Sequence, residues 1–166
     1  MKVDAFKQLP VVSIGTGAKL GYVDDLLFDA SPLRVAALRV KAEGQQIVVP
    51  WSVVKTVGPD AIMVPDDAAA HTTSSESSLS ALPDIAALRT LKVVDEGGAF
   101  VGTVKELDVD PASGAVTQIE AHTGGVLGMG GTTTTIVAAD IRSIGDEVLL
   151  TAVRPPEPEP AATKTS

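Results

Sequence analysis

The sequence contains no cysteine, few aromatic residues and no long hydrophobic run. Without cysteine the chain has no disulfide framework, no thiolate metal site and no thiol nucleophile. No uninterrupted apolar stretch approaches the roughly 20 residues of a membrane-spanning helix, and residues 1–7 lack the apolar core of a signal peptide. We therefore expect a cytoplasmic protein without a membrane span, held together by aliphatic packing.

Positive charge is also scarce. The chain has 13 Lys and Arg against 21 Asp and Glu, which gives a formal net charge of −8. Residues 1–66 are balanced, whereas residues 88–153 carry four basic and nine acidic side chains. Sequence-independent nucleic-acid binding depends on cations that neutralise phosphates. We therefore expect no direct contact with nucleic acid, and a basic partner would prefer the second half.

What the sequence has instead is an internal repeat. Residues 21–29 (Gly-Tyr-Val-Asp-Asp-Leu-Leu-Phe-Asp) recur 81 positions later as residues 102–110 (Gly-Thr-Val-Lys-Glu-Leu-Asp-Val-Asp). The match continues downstream, because residues 55–64 parallel residues 142–150. A repeat of this length indicates two copies of one small unit.

Each copy consists of short strand candidates separated by Gly, Pro and Asp. In the first copy, strands are predicted at residues 20–29, 35–41, 46–50 and 61–64, with a short helical turn at 51–55. A second helical turn is predicted at residues 83–88, where the chain enters the second copy. Val116 and Ala121 are out of phase with a two-residue period, which predicts a bulge or twist. Closing a small sheet into a barrel removes its exposed strand edges, which favours a barrel for each copy. The predicted fold class is mainly β: two small β-barrels in tandem from an internal duplication, with short helical turns.

The same composition predicts the domain boundaries. We expect a first repeat at residues 1–66, a Ser/Ala-rich linker at 67–81, a second repeat at 82–153 and a Pro/Glu-rich disordered tail at 154–166. A repeat of this size gives only about 3–5 kcal/mol of net stability. Packing of the repeats on each other, or a homodimer, would add to it. The polar linker instead favours independent repeats, and the sequence leaves both arrangements open.

The pattern of turn glycines and core aliphatic residues resembles the PRC-barrel family. In the first copy it is carried by residues 21–29, by Val35, Leu38 and Val40, and by residues 49–64, and in the second by residues 102–110 and 141–150. That family is named for the cytoplasmic domain of the photosynthetic reaction-centre H subunit and includes the carboxyl-terminal domain of the ribosome-maturation factor RimM. The resemblance implies a tandem of PRC-like barrels. The second copy departs from it at residues 137–140, which replace the Pro50-Trp51 corner, and at the insertion 124–131.

The Gly-rich insertion and the single tryptophan are the candidate interaction sites. Phosphate binding is disfavoured at residues 124–131, because the following residues 132–137 have the composition of a strand rather than of a helix. The insertion is then either a flexible hairpin tip or a partner-binding tip, and Trp51 is either a packing residue or an interface anchor. The candidate partner-interface residues are Trp51, Val126, Leu127 and Met129.

No residue pattern indicates catalysis, a cofactor or a metal. The sequence has no Gly-x-Ser-x-Gly elbow, and neither His71 nor His122 has a partner at a recognisable spacing. The repeated carboxylates are interpreted as strand-end and turn residues rather than as calcium ligands; they are Asp24, Asp25, Asp29, Asp108 and Asp110. We therefore expect that the protein is not an enzyme and has no cofactor or metal.

The sequence thus favours a non-catalytic protein-interaction or scaffold module that docks on a protein partner. The resemblance implies two alternatives: a RimM-like adaptor in ribosome assembly, and support of an electron-transfer complex in the manner of the H subunit. A small-ligand binder at the barrel junction is a further alternative, because clefts between domains commonly hold ligands.

Overall fold

The computed structural model describes residues 1–30, 32–66, 79, 81–124 and 131–154. These residues form two six-stranded sheets, one in each repeat, with short helices before them. The predicted fold class is confirmed. No helix in the described ranges is both long enough and apolar enough to cross a membrane.

The first repeat begins with a single helical turn and continues as a meander of strands. Its strand order is β4-β3-β2-β1-β6-β5, with β1 and β6 parallel and the other neighbours antiparallel. The elements are α1 (Val3–Phe6), β1 (Pro10–Ser13), β2 (Lys19–Ala30), β3 (Leu33–Ala42), β4 (Gln45–Pro50), a 3-10 turn (Trp51–Val53), β5 (Thr56–Val57) and β6 (Ile62–Val64).

The second repeat has the same topology, with the order β10-β9-β8-β7-β12-β11 and a parallel pair formed by β7 and β12. Its elements are α2 (Ile85–Leu88), β7 (Lys92–Asp95), β8 (Phe100–Val109), β9 (Val116–Thr123), β10 (Thr132–Val137), a 3-10 turn (Ala138–Asp140), β11 (Ile141–Ile144) and β12 (Val148–Thr151). The predicted helical turns after Pro50 and Pro83 are confirmed, whereas α1 was not predicted.

Register shifts recur at equivalent places in the two repeats. The register of β2 against β3 shifts between Val23 and Asp25, and that of β8 against β9 shifts between Val104 and Glu106. A second shift lies between Asp108 and Val109, where the partner strand carries the out-of-phase Val116. The predicted irregularity is therefore confirmed. Bulges of this kind increase strand twist and help a small sheet to curl.

The repeated glycine at the start of the motif is required by close strand packing. A Cβ atom on Gly21 would lie 2.5 Å from the carbonyl oxygen of Lys41, and one on Gly102 would lie 3.0 Å from the amide nitrogen of His122. A side chain at position 21 would therefore push the β2–β3 hairpin open, and one at position 102 would require the facing backbone of β9 to shift by a few tenths of an ångström. This explains why glycine stands at both positions.

One hydrophobic core extends through both repeats. Phe6 and Phe28 of the first repeat and Ile85 and Leu107 of the second are at most 1% exposed and belong to the same cluster of buried residues. The repeats are therefore packed on each other, which decides between the two arrangements that the sequence left open. Residues 67–78 and 80 of the predicted linker and residues 155–166 of the predicted tail lie outside the described residues.

Candidate functional site at the junction of the repeats

The two repeats exchange their amino-terminal segments. Met1, which precedes α1, pairs with β8 of the second repeat, where the Val109 amide donates to the Met1 carbonyl at 2.7 Å. Pro83, which precedes α2, pairs with β2 of the first repeat, where the Phe28 amide donates to the Pro83 carbonyl at 3.0 Å. Each repeat therefore supplies a short segment that pairs with a long strand of the other, and an approximate two-fold axis relates the two halves of the junction.

The hairpin tips meet near this axis. Arg34 of β3 forms an isolated bridge with Ala115, and these two positions are themselves equivalent in the repeat. The amide of Val35 donates to the carbonyl of Gly114 at 2.8 Å. Backbone hydrogen bonds at both the ends and the centre of the junction hold the repeats in one register.

Trp51 lies in this junction. The 3-10 turn after Pro50 directs the indole inward, where it is 8% exposed and its ring centroid lies 6.5 Å from that of Phe6. The indole also packs against Gly114 in the β8–β9 hairpin of the second repeat. Trp51 thus joins a helix of its own repeat to a hairpin of the other.

An ion-pair network connects β3 to the start of α2. The guanidinium of Arg39 lies 3.1 Å from Asp25, 3.2 Å from Asp84 and 3.4 Å from Asp24. Burial disfavours the charge of Arg39, but the hydrogen bond to Asp84 and the charge of Asp25 outweigh it and raise the pKa of Arg39. Burial likewise disfavours the charge of Asp84, yet the amide of Ala87 and the guanidinium hold the pKa of Asp84 below its ordinary value.

A second network lies at the equivalent place on the other side of the axis. The Lys2 ammonium lies 2.6 Å from Glu120 and 3.4 Å from Asp108, and the hydrogen bond to Glu120 raises the pKa of Lys2. Arg89 of the second repeat lies 2.8 Å from Asp4 of the first. The junction therefore combines an apolar centre with charge-assisted hydrogen bonds at its rim.

The profile of one family matches each repeat separately. The PRC-barrel domain matches residues 1–71 and again residues 84–154, which together cover most of the chain. The chain belongs to the PRC-barrel family. A protein of Clostridium acetobutylicum described as uncharacterized is 29% identical over an alignment 73 residues long, which covers 39% of this chain and 84% of that relative. That relative is therefore about the length of one PRC repeat.

A groove opens between the two PRC repeats on the side that has no tryptophan. It has a volume of about 380 Å³. The nearly buried Leu33, Leu88 and Leu91 form its floor, and Asp29 and Asp146 stand on its exposed rim. Mostly small residues, exposed or half-exposed, form its walls: Ala30, Ala81, Pro83, Ala87, Ile144 and Gly145. We call it the junction groove.

A neighbouring groove continues along the same hairpin. It has a volume of about 360 Å³ and shares Ala30, Leu33 and Ile144 with the junction groove. Its lining includes Ala138, the residue that replaces Trp51 in the second PRC repeat. On the tryptophan side of the axis, the corresponding groove is lined by Trp51 itself. Concave, partly apolar surfaces between domains are common binding sites.

The structure places only one of the four candidate partner-interface residues. Trp51 lies in the junction between the PRC repeats, and its contact with a partner stays a prediction. Val126, Leu127 and Met129 lie outside the described residues. The sequence analysis did not identify the junction residues Arg39, Asp84, Lys2 and Glu120. The equivalence of residues 2–6 with residues 84–88 was the signal that could have located them.

Two of the repeated carboxylates, Asp25 and Asp110, accept hydrogen bonds from backbone amides. Asp25 accepts hydrogen bonds from the amides of Leu26 and Ile85, at 2.8 and 3.2 Å. Asp110 accepts from the Ala112 amide in the β8–β9 turn at 3.0 Å. Within the described ranges, no group of three or more His, Cys, Asp and Glu side chains could hold a metal ion.

Proposed function

We propose that this PRC-barrel protein is a non-catalytic scaffold module of the cytoplasm that docks on a protein partner through the junction groove. The observation that carries the proposal is the groove itself, because residues of both PRC repeats line it. Such a site exists only when the two repeats are packed together. This gives the tandem arrangement a role that one repeat alone could not perform.

The chemistry of the groove specifies the occupant. A leucine floor suits an aliphatic side chain, and the small walls leave room for an extended backbone. Asp29 and Asp146 on the rim favour a neighbouring Lys or Arg on the partner, and so does the net charge of −8. The expected partner segment is therefore extended, with an aliphatic residue beside basic residues.

The test compares two substitutions in the same helix. Ala87 lines the groove and Ala86 does not, although both are exposed in α2. Ala87→Arg would fill the groove and repel a basic segment, whereas Ala86→Arg adds the same side chain and charge elsewhere. A displayed library of random peptides of about 12 residues is selected on the wild-type protein, and binding is then measured by fluorescence anisotropy.

We expect selected peptides that combine Lys or Arg with an aliphatic residue and bind at least about tenfold more weakly to Ala87→Arg than to Ala86→Arg. Equal binding to both variants would remove the groove from the proposal. Affinity purification from native cells then tests the same pair beside Leu127→Asp, Met129→Asp. A partner that is lost only with the last variant would assign docking to the Gly-rich tip.

A small-ligand binder at the barrel junction is the second candidate, because both grooves lie there. A thermal-shift screen of metabolites against wild type, Ala87→Arg and Ala86→Arg separates the two functions. A metabolite that stabilises wild type and Ala86→Arg, but not Ala87→Arg, would favour the small-ligand function.

A further inference from the structure

The two sides of the junction have charges of opposite sign at equivalent positions. Lys2 and Asp84 are equivalent, since they precede α1 and α2 and form bridges with the equivalent residues Asp108 and Leu27. Arg39 and Glu120 are also equivalent, because they lie 81 positions apart in β3 and β9. On one side of the junction, Arg39 of β3 forms an ion pair with Asp84, the residue before α2. On the other side, strand Glu120 meets Lys2, so that the polarity of the pair is reversed.

Side-chain size is inverted in the same way. Trp51 packs on Gly114, where a Cβ atom would lie 2.7 Å from the indole Cε2 atom. The equivalents of these two residues are Ala138 and Leu33, which line one groove on the other side of the axis. A large residue of the first repeat thus faces the smallest residue of the second, and on the other side a small residue of the second repeat faces a larger one of the first.

These inversions matter because the junction relates the two repeats by an approximate two-fold axis. The surface that each repeat buries there could therefore also pair with a second copy of the same repeat. If the first repeat paired with a copy of itself, Lys2 would face Arg39, and Trp51 would face Leu33 in place of Gly114. If the second paired with itself, Asp84 would face Glu120, and Ala138 would face Gly114 and leave a gap. Like charges and overpacking oppose the first pairing, whereas like charges and a cavity oppose the second.

We propose that the two PRC repeats recognise each other through these inverted pairs, so that each repeat binds the other repeat of its own chain and rejects a second copy of itself. The partner of each junction surface is therefore the other repeat. This inference is independent of the proposed docking function, because it concerns the surface that the repeats bury between them.

The test uses the full chain, cut once between the repeats. A site for a specific protease replaces residues 72–77, and the cut protein is unfolded in denaturant and refolded so that the two pieces can exchange partners. Native mass spectrometry distinguishes the three pairings by mass. We expect the wild type to return almost entirely as one first piece with one second piece.

A charge-symmetrised variant gives the decisive comparison. In Lys2→Asp, Glu120→Arg, each repeat carries a strand arginine and an acid before its helix, so that self-pairing no longer places like charges together. Adding Trp51→Ala also makes the size pair of a first-repeat self-dimer the same as the natural pair of Ala138 with Leu33. We expect first-repeat self-dimers to rise about tenfold in this triple variant over Trp51→Ala alone.

The proposal would be overturned if the wild-type pieces paired at random, with self-dimers as frequent as chance predicts. It would also be overturned if the two pieces separated completely after the cut. The absence of self-dimers in the refolded triple variant would also contradict it. If the triple variant does not refold, the uncut chain supplies the test. Lys2→Glu and Glu120→Lys should each lower the melting temperature, and the double variant should recover most of the loss. An additive double variant would contradict the charge part of the proposal.

Discussion

The indole of Trp51 rests on the backbone of Gly114, and this contact crosses from one PRC repeat to the other. Gly114 has a φ of +80°, in the left-handed region, and a Cβ atom there would lie 2.7 Å from Cε2 of the indole. Both its conformation and its neighbour therefore require glycine. The single tryptophan and this turn glycine form one unit of the junction, although 63 positions separate them in the sequence.

Replacing Gly114 by alanine should destabilise the protein by about 2–4 kcal/mol, which combines the left-handed backbone with overpacking against the indole. Gly44→Ala is a matched control, since Gly44 has a φ of +79° and nothing within 4 Å of its added Cβ atom. It should cost about 1–2 kcal/mol. Chemical denaturation of both variants measures the difference. Equal losses would show that the indole does not restrict position 114.

The two repeats should unfold in one transition, because a single buried cluster extends through both. Trp51 is the only tryptophan and lies in the junction, so its fluorescence reports on the contact between the repeats. Far-ultraviolet circular dichroism reports on the strands of both. We expect the two denaturation curves to coincide. A fluorescence change that precedes the loss of strand signal would mean that the repeats separate before they unfold.

The sequence was sufficient to predict the two barrels, because the repeat and the short strand candidates between Gly, Pro and Asp are visible in the sequence itself. It also gave the helical turn after Pro50. Helix α1 was missed because it has only four residues and the preceding N-cap residue, Lys2, makes no side-chain cap. Such a turn is stabilised by packing of Val3 and Phe6 in the shared core rather than by its own propensity.

The junction could not be derived from the sequence in the same way. Whether Arg39 meets Asp84 or another acid depends on how the two repeats are placed in space, and local patterns carry no such information. The open alternatives for Trp51 show the same limit, because the contact with Gly114 joins residues that are distant in the chain. The repeat itself did contain a usable signal: charge and size differ between equivalent positions at the junction.

Arg39→Ala should destabilise the protein by about 1–3 kcal/mol. The reason is that the carboxylate of Asp25, which is 6% exposed, loses its cation. Arg142→Ala is the control, because the ion pair of Arg142 with Glu96 is long, at 3.8 Å, and exposed. It should change stability by less than about 0.5 kcal/mol. Similar losses in both variants, measured by urea denaturation, would place Arg39 among ordinary surface charges.

Stability should fall in acid as Asp84 loses its charge. The pKa of Asp84 is held below its ordinary value of 3.8 in the folded protein, because the Ala87 amide and Arg39 together outweigh burial. A carboxyl whose pKa is lower in the folded than in the unfolded state stabilises the fold above the unfolded value, and this contribution is lost as the pH falls from 3.8 through the folded value. The variant Asp84→Asn tests this contribution, because it keeps a good N-cap residue for α2 but removes the charge. In thermal melts between about pH 2 and pH 6, the variant should therefore be less stable than wild type at the upper end, and the difference should shrink below pH 3.8. A constant difference across this range would show that the charge of Asp84 contributes nothing and that the loss comes from the cap alone.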